Sequence, residues 1–318
     1  ASVYIDEYTL SSGLRAGDAI VAATATENNL PLLSSNTKHF KPIKDLKLKI
    51  FKAFGVNRLS IGAQSFDDEV LAYMNRAHGS QQAVESILLS QDLGFQNLTI
   101  DLIYGVPGSS MASWEKELKQ MATLNVPHLS AYCLTIEDNT VFGNWYKKGK
   151  LQPPPDDLSL KQFQRLVEFS ADLGLEQYEI SNFAKSGFIS KHNSAYWLGQ
   201  KYLGIGPSAH SYNLKERSWN IANNGRYMKA LEEGIAYWET EELSVKDRFN
   251  DYVLTRLRTK WGINLDELST ISPSYTKVVE VELMNRINSG HLIQKDKTYY
   301  LTEEGKFLAD AISSDLFQ

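Results

Sequence analysis

Between Asn57 and Ile180 the chain alternates two hydrophobic periods. The run RLSIGA, Arg58 to Ala63, switches apolar and polar at every residue, which predicts a strand. A helical pattern follows from about Gln81 to Leu93, with Ser80 as the expected N-cap and Gly94 as the stop. NLTIDLIYG reads as the next strand, starting at Asn97, and a helix is expected over about Ala112 to Leu124. Met111, Trp114, Leu118 and Met121 fall near one face of that helix. HLSAYCLTI is the third strand, and Pro153 to Pro155 mark a connector. A helix from about Leu158 to Asp172 stops at Gly174, and strand-like EQYEIS follows. Repeated strand–helix units predict a parallel α/β sheet. Such sheets carry their sites at the C-terminal strand ends. Here those ends hold Gln64 and Ser65, Asp101 to Gly105, Thr135 to Glu137, and Ser181 to Phe183.

Beyond about Leu243 helices dominate. Two short strand-like runs around a charged turn, HLIQKDKTYYLTEEG, then lead into a helix from Glu304. Helices plus a hairpin predict a small winged-helix-like domain. The charge over Asp266 to Gly305 is balanced, so no nucleic-acid surface is expected.

Composition changes this picture little. The 318 residues leave room for two or three domains. A net charge of −5 and the lack of a Lys/Arg run also argue against nucleic acid. No apolar stretch reaches the roughly 18 residues of a membrane span. ASVYIDEYTL has neither a basic start nor an apolar run, so no signal peptide is expected. Cys133 is the one cysteine, which excludes an intramolecular disulfide and fits a cytoplasmic protein.

The richest chemistry lies in ISNFAKSGFISKHNSAYWLGQKYLGIGPSAHSY, Ile180 to Tyr212. His192 and His210 stand among Tyr196, Trp197, Tyr202 and Tyr212. Imidazole is a common ligand for iron, and flat rings wall flat ligands. Gly199, Gly204, Gly206 and Pro207 would let backbone come close to such a ligand, in a segment with little helical periodicity. A histidine among aromatics is as often a satisfied structural residue, and composition does not decide between the two.

Six motifs go further: GVNRLSIGAQSF from Gly55, LTIDLIYGVPG from Leu98, HLSAYCLTIE from His128, YEISNFA from Tyr178, HNSAYW from His192, and YLGIGPSAHSY. Over about residues 50 to 318 the chain resembles the HemW heme chaperones. These form a radical-SAM family related to oxygen-independent coproporphyrinogen III oxidase. The resemblance implies the C-terminal half of a partial (β/α) barrel, with three βα repeats where the family has six. HNxxYW is the family's proposed heme contact. It implies His192 as the axial iron donor, Tyr196 and Trp197 as stacking surface, and Asn193 as a hydrogen-bonding group, with His210 the alternative donor. Gln64, Arg76 and Asp101, with the backbone near Cys133 and His210, match S-adenosylmethionine contacts. Ordinary barrel-mouth structure is the competing account of each. The family's [4Fe–4S] cluster needs three thiolates in CxxxCxxC, and that loop has no counterpart here. The expectation is therefore no cluster and no radical chemistry on this chain.

Residues 1–50 resemble instead the C-terminal half of a PIN-type ribonuclease domain, where Asp18 matches a metal-holding position and His39 replaces a second acid. One carboxylate cannot hold two metals, and Asp18 serves equally as a helix cap. The strand-like LPLLSS is expected to patch the open sheet edge. The domain reading is thus a PIN-like fragment at 1–50, a partial barrel at 51–242 and a winged-helix-like unit at 243–318. Three functional readings stay open: a heme-binding and heme-delivery protein, an oxidoreductase of the coproporphyrinogen oxidase type, or a truncated or chimeric product without activity. The partners implied by the first are heme and heme-accepting apoproteins or respiratory-chain proteins. Peripheral membrane association and a homodimer are open with it.

Overall fold

A computed structural model describes residues 46–138 and 140–318. Asp18, His39 and LPLLSS, on which the ribonuclease-like expectation rested, lie outside the described residues. The expected boundary between residues 50 and 51 falls inside a helix, Leu46–Ala53. Its Leu48 and Phe51 pack against the barrel core, and Lys52 Nζ donates to the Leu93 carbonyl at 2.6 Å.

Five strands make the main sheet: β1 Arg58–Gln64, β2 Asn97–Tyr104, β3 His128–Cys133, β4 Glu176–Glu179 and β5 Asn182–Ala184, in the order β1-β2-β3-β5-β4. The first three are parallel. Parallel alternation, expected to Ile180, holds through β4, which runs in the direction of β3 because both pair antiparallel with β5. Only Ile180 and Ser181 separate β4 from β5, too few residues for a parallel crossover. The chain therefore doubles back, and β5 inserts antiparallel between β3 and β4.

The two faces of this sheet differ. Leu98, Ile100, Leu102, Leu129, Ala131 and Phe183 point to one side. There they bury against Ile87 of helix Ser80–Asp92, Trp114, Leu118 and Met121 of helix Met111–Thr123, and Phe163 and Leu166 of helix Asp156–Asp172. The alternate positions carry the polar residues described below, as the strand period of two requires. Ser80 is the first helical residue rather than the N-cap. The Asp68 carboxylate does the capping, accepting from the Ser80 N–H at 2.7 Å. A short helix, Val141–Lys147, occupies a stretch with no predicted element.

A second sheet is antiparallel: β6 His210–Tyr212, β7 Glu216–Asn220 and β8 Trp238–Glu242. Helix Val245–Leu257 leads to β9 Ile263–Asn264, and helices Leu265–Ile271 and Pro273–Asn288 lead on to β10 Leu292–Lys295 and β11 Thr298–Leu301, which complete a third sheet ordered β10-β11-β9. Phe249, Val253, Leu268, Leu283 and Tyr299 form its own buried cluster. Ile180 packs against both clusters. The two parts are also joined through backbone: Ile180 N donates to the Arg258 carbonyl and Lys260 N to the Tyr178 carbonyl, at 3.1 and 3.0 Å. Among the described residues no helix is long and apolar enough to cross a membrane.

Candidate functional site

The inner face of the main sheet is a polar lattice. β1 contributes Arg58 and Ser60, β2 contributes Asn97, Thr99 and Asp101, and β3 contributes His128, Ser130 and Tyr132. All stand at alternate positions. Arg58 donates to Asn97 Oδ1 and Thr99 Oγ1, each at 2.7 Å, and to the Phe188 carbonyl at 3.0 Å. Burial lowers the Arg58 guanidinium from its usual range, opposed by Tyr178 and Asp101. The Ser60 hydroxyl donates to Asp101 at 3.2 Å, and Ser130 donates to Asn182 Oδ1 at 2.6 Å. Burial pushes the Asp101 carboxyl up, while Ser60, Ser130 and Arg58 pull it down. Asn182 in turn donates to the buried Glu179, whose carboxyl is raised by the same loss of solvent.

Gln64 ends β1 after a bulge, with φ at +67°, a conformation few non-glycine residues adopt. Strain of this kind clusters where a side chain must be aimed. The Gln64 amide oxygen accepts from Arg76 at 3.3 Å. Gly62 makes room for the Gln64 side chain: a Cβ there would lie 2.6 Å from Gln64 Nε2 and 4.0 Å from Asp101 Oδ2. The turn is held from below by buried Glu117, which accepts from the Ser65 hydroxyl and from the Phe66 N–H at 2.6 Å. Gln64 thus stands between Arg76, which donates to it, and Gly62, whose Cβ position lies near Asp101.

Cys133 and His210 were expected to offer backbone to S-adenosylmethionine. Cys133 follows Leu129 and Ala131 on the helix-facing side of β3, where a Cβ on Gly105 would lie 2.9 Å from its Sγ. His210 begins β6 in a different sheet, its ring 6.3 Å from Trp219. An iron–sulfur cluster held by three thiolates does not fit the residues of this sequence. It has one cysteine, and among the described residues no three His, Cys, Asp or Glu side chains converge.

HNSAYW lies on a helix, Lys191–Trp197, rather than in the expected loop. Ser190 caps it, accepting from Asn193 N at 3.3 Å, and Gly199 at φ +65° ends it. Helical spacing splits the motif into two pairs. His192 and Tyr196, one turn apart, are both exposed, with ring centroids 4.9 Å apart at 88°. Asn193 and Trp197 face protein. The Asn193 side chain lowers the burial-raised pKa of the Tyr178 phenol, whose hydroxyl lies 2.8 Å from His128 Nε2, and Trp197 lies under the Arg258 guanidinium at 5.8 Å. Tyr196 meets Tyr202 at 4.6 Å, and Tyr202 meets Tyr212 at 5.8 Å. A backbone bridge between Tyr202 and Tyr212 holds that end of the row.

Gly204 serves the loop itself, whereas Gly199 and Gly206 face open space. A Cβ on Gly204 would sit 2.1 Å from the His210 carbonyl, so the close approach is chain to chain. Ser60, Ser130, Tyr178, Glu179 and Asn182 were missed as site residues. Their signal was the period-two run of polar residues inside otherwise apolar strands.

The Radical SAM superfamily model matches residues 17–121. Among curated proteins, the "Heme chaperone HemW" of Bacillus subtilis is 32% identical over 84% of this chain and 71% of its own length. That of Lactococcus lactis is 30% identical over 93% of this chain and 81% of its own. That of Escherichia coli is 31% identical over 82% and 68%. Among solved structures, coproporphyrinogen III oxidase (HemN) from Escherichia coli, a radical SAM enzyme, superposes with a TM-score of 0.71. It covers 87% of this chain and 67% of its own at 22% identity, which speaks for the fold alone. The ribonuclease-like reading of residues 1–50 gains no support. The radical-SAM match starts at residue 17, and what the Lactococcus relative leaves uncovered is shorter than those fifty residues.

Proposed function

As a member of the HemW family of radical-SAM proteins, this chain, we propose, binds heme as cargo on the His192–Tyr196 face and passes it to heme-accepting apoproteins. The observation that carries the reading is the exposed imidazole of His192 at the end of the contiguous ring row Tyr196, Tyr202 and Tyr212. An imidazole offers the iron a nitrogen donor, and aromatic rings offer the macrocycle an apolar surface. Asn193 and Trp197 act from behind, fixing the helix on Tyr178 and Arg258. His210 remains the second donor to test.

Gln64, Arg76 and Asp101 would hold the polar groups of S-adenosylmethionine. The methionyl carboxylate suits Arg76, and ribose or amine groups suit the Asp101 carboxylate. The one cysteine of this sequence cannot supply the three thiolates of the cluster that would start a radical step. The helices and hairpin from about residue 243 onward fit a winged-helix-like unit docked on β4 through Arg258 and Lys260.

Delivery is tested by loading the chain with heme and adding a heme-free globin. Heme held at an exposed histidine should leave for the globin, moving the Soret band to the globin's position. Heme that stays on the chain under excess acceptor would contradict delivery.

A further inference from the structure

We propose that β8 is a docking edge for another protein, which adds to it an extended segment with basic side chains at alternate positions. The inference stands independently of the heme reading.

Among the described residues β8 pairs with β7 alone, and all five of its residues are exposed. At the two ends of the β7–β8 ladder, Ile221 N donates to the Tyr237 carbonyl and Leu243 N to the Lys215 carbonyl. Opposed antiparallel residues alternate between hydrogen-bonded and non-bonded pairs, so Glu239 and Glu241 also turn their backbone groups to β7. Those of Trp238, Thr240 and Glu242 therefore point away from the sheet. A row of such N–H and C=O groups is a template for one more strand.

Side-chain charge says what that strand must carry. Between Glu232 and Asp247 the one basic residue is Lys246, whereas β8 alone holds Glu239, Glu241 and Glu242. Alternation puts Glu239 and Glu241 on one face and Glu242 on the other, so both faces of the edge are acidic. Glu242 also stands directly opposite Glu216, in a non-bonded pair, where side chains come closest. Like charges so placed repel. The Glu216 carboxylate accepts from the Asn213 amide at 2.8 Å, which brings no opposing charge. A Lys or Arg on a third strand beside Glu242 would offset the repulsion. Trp238 is 50% exposed and rests edge to face on Tyr237 at 4.9 Å. Its ring offers a surface for the stem and charge of such a side chain. A second copy of β8 does not suit this edge, because it would bring further glutamates beside these.

The test titrates the wild-type chain with a peptide alternating Lys and Thr, and with one alternating Glu and Thr. The basic peptide should bind about tenfold more tightly or better. Its binding should slow hydrogen exchange at the amides of Trp238, Thr240 and Glu242, and change those of Glu239 and Glu241 little. Thr240→Pro removes an outward N–H and no bond to β7, a place where an edge strand tolerates proline. It should lose most of the binding. The double variant Glu239→Lys, Glu242→Lys should prefer the acidic peptide. Equal or absent binding of the two peptides by the wild type overturns the inference without any variant having to fold. Binding that leaves the three outward amides unprotected overturns it as well, since charge alone would then hold the peptide. So does binding undiminished in Thr240→Pro.

Discussion

The imidazole of His192 and the ring of Tyr196 meet edge to face, 4.9 Å apart and nearly perpendicular, one turn apart on a helix of seven residues. Tyr196 in turn abuts Tyr202, so the orientation of His192 is set from the side by a supported ring. Edge-to-face pairs contribute about 0.5–1.5 kcal/mol beyond their buried area. Tyr196→Ala should therefore weaken heme binding by roughly two- to tenfold, the same interval expressed as affinity. The Soret position should not move, because the donor atom is unchanged. A shifted band in a heme titration of Tyr196→Ala would mean that the tyrosine itself is the ligand.

Gly204 should tolerate no side chain. Its missing Cβ would lie 2.1 Å from the His210 carbonyl, and its N–H donates to Ser211 Oγ at 2.9 Å. Gly204→Ala must push β6 away from the Tyr202 strand, at a cost on the order of 2–4 kcal/mol. Gly199→Ala is the control, since φ is +65° there but a Cβ meets nothing within 4 Å. It should cost about 1 kcal/mol through backbone strain alone. Urea unfolding of the two variants checks the contrast, and equal losses would refute the proposed chain-to-chain contact.

His128 gives the fold a dependence on pH. Burial, and then the charge of Arg58, lower its pKa to about 3. The ring is fully buried, with Nε2 on the Tyr178 hydroxyl and Nδ1 without a partner among the described residues. Because the folded value lies below the unfolded one, near 6.5, the unfolded chain binds the proton more readily. Stability from the neutral ring is present above about pH 6.5 and is lost as pH falls toward 3, amounting to about 2 kcal/mol by pH 5. Asp101, Glu117 and Glu179 have raised carboxyl values and so act in the opposite sense under acid. The difference between wild type and His128→Gln isolates the ring. The wild type should lose more stability than the variant between pH 7 and pH 5, and parallel losses would show that the ring does not titrate as described.

The parallel strands β1 to β3 were legible in the sequence because alternation and glycine stops repeat there without conflict. The hairpin of β4 and β5 was not. YEISNFA alternates like one strand, and only the shortness of its turn forces it to fold back. Helix Lys191–Trp197 was hidden for another reason: seven residues are too few to show a helical period, and its evidence is the Ser190 cap. At the site, residue types pointed to His192 and Tyr196. The inward turn of Asn193 and Trp197 depended on partners far along the chain, Tyr178 and Arg258, which no local pattern names. The motif at Gln64 and Asp101 was readable from resemblance, whereas the Glu117 clamp beneath it joins residues more than fifty positions apart.

The central claim is that His192 supplies the iron ligand, and a Soret titration tests it most directly. Hemin is titrated into the wild type, His192→Ala and His210→Ala, and band position and affinity are compared. The account predicts a shifted, saturable band for the wild type and for His210→Ala. For His192→Ala it predicts only the weak, unshifted absorption of hemin held by apolar contact. Identical curves for wild type and His192→Ala would contradict it.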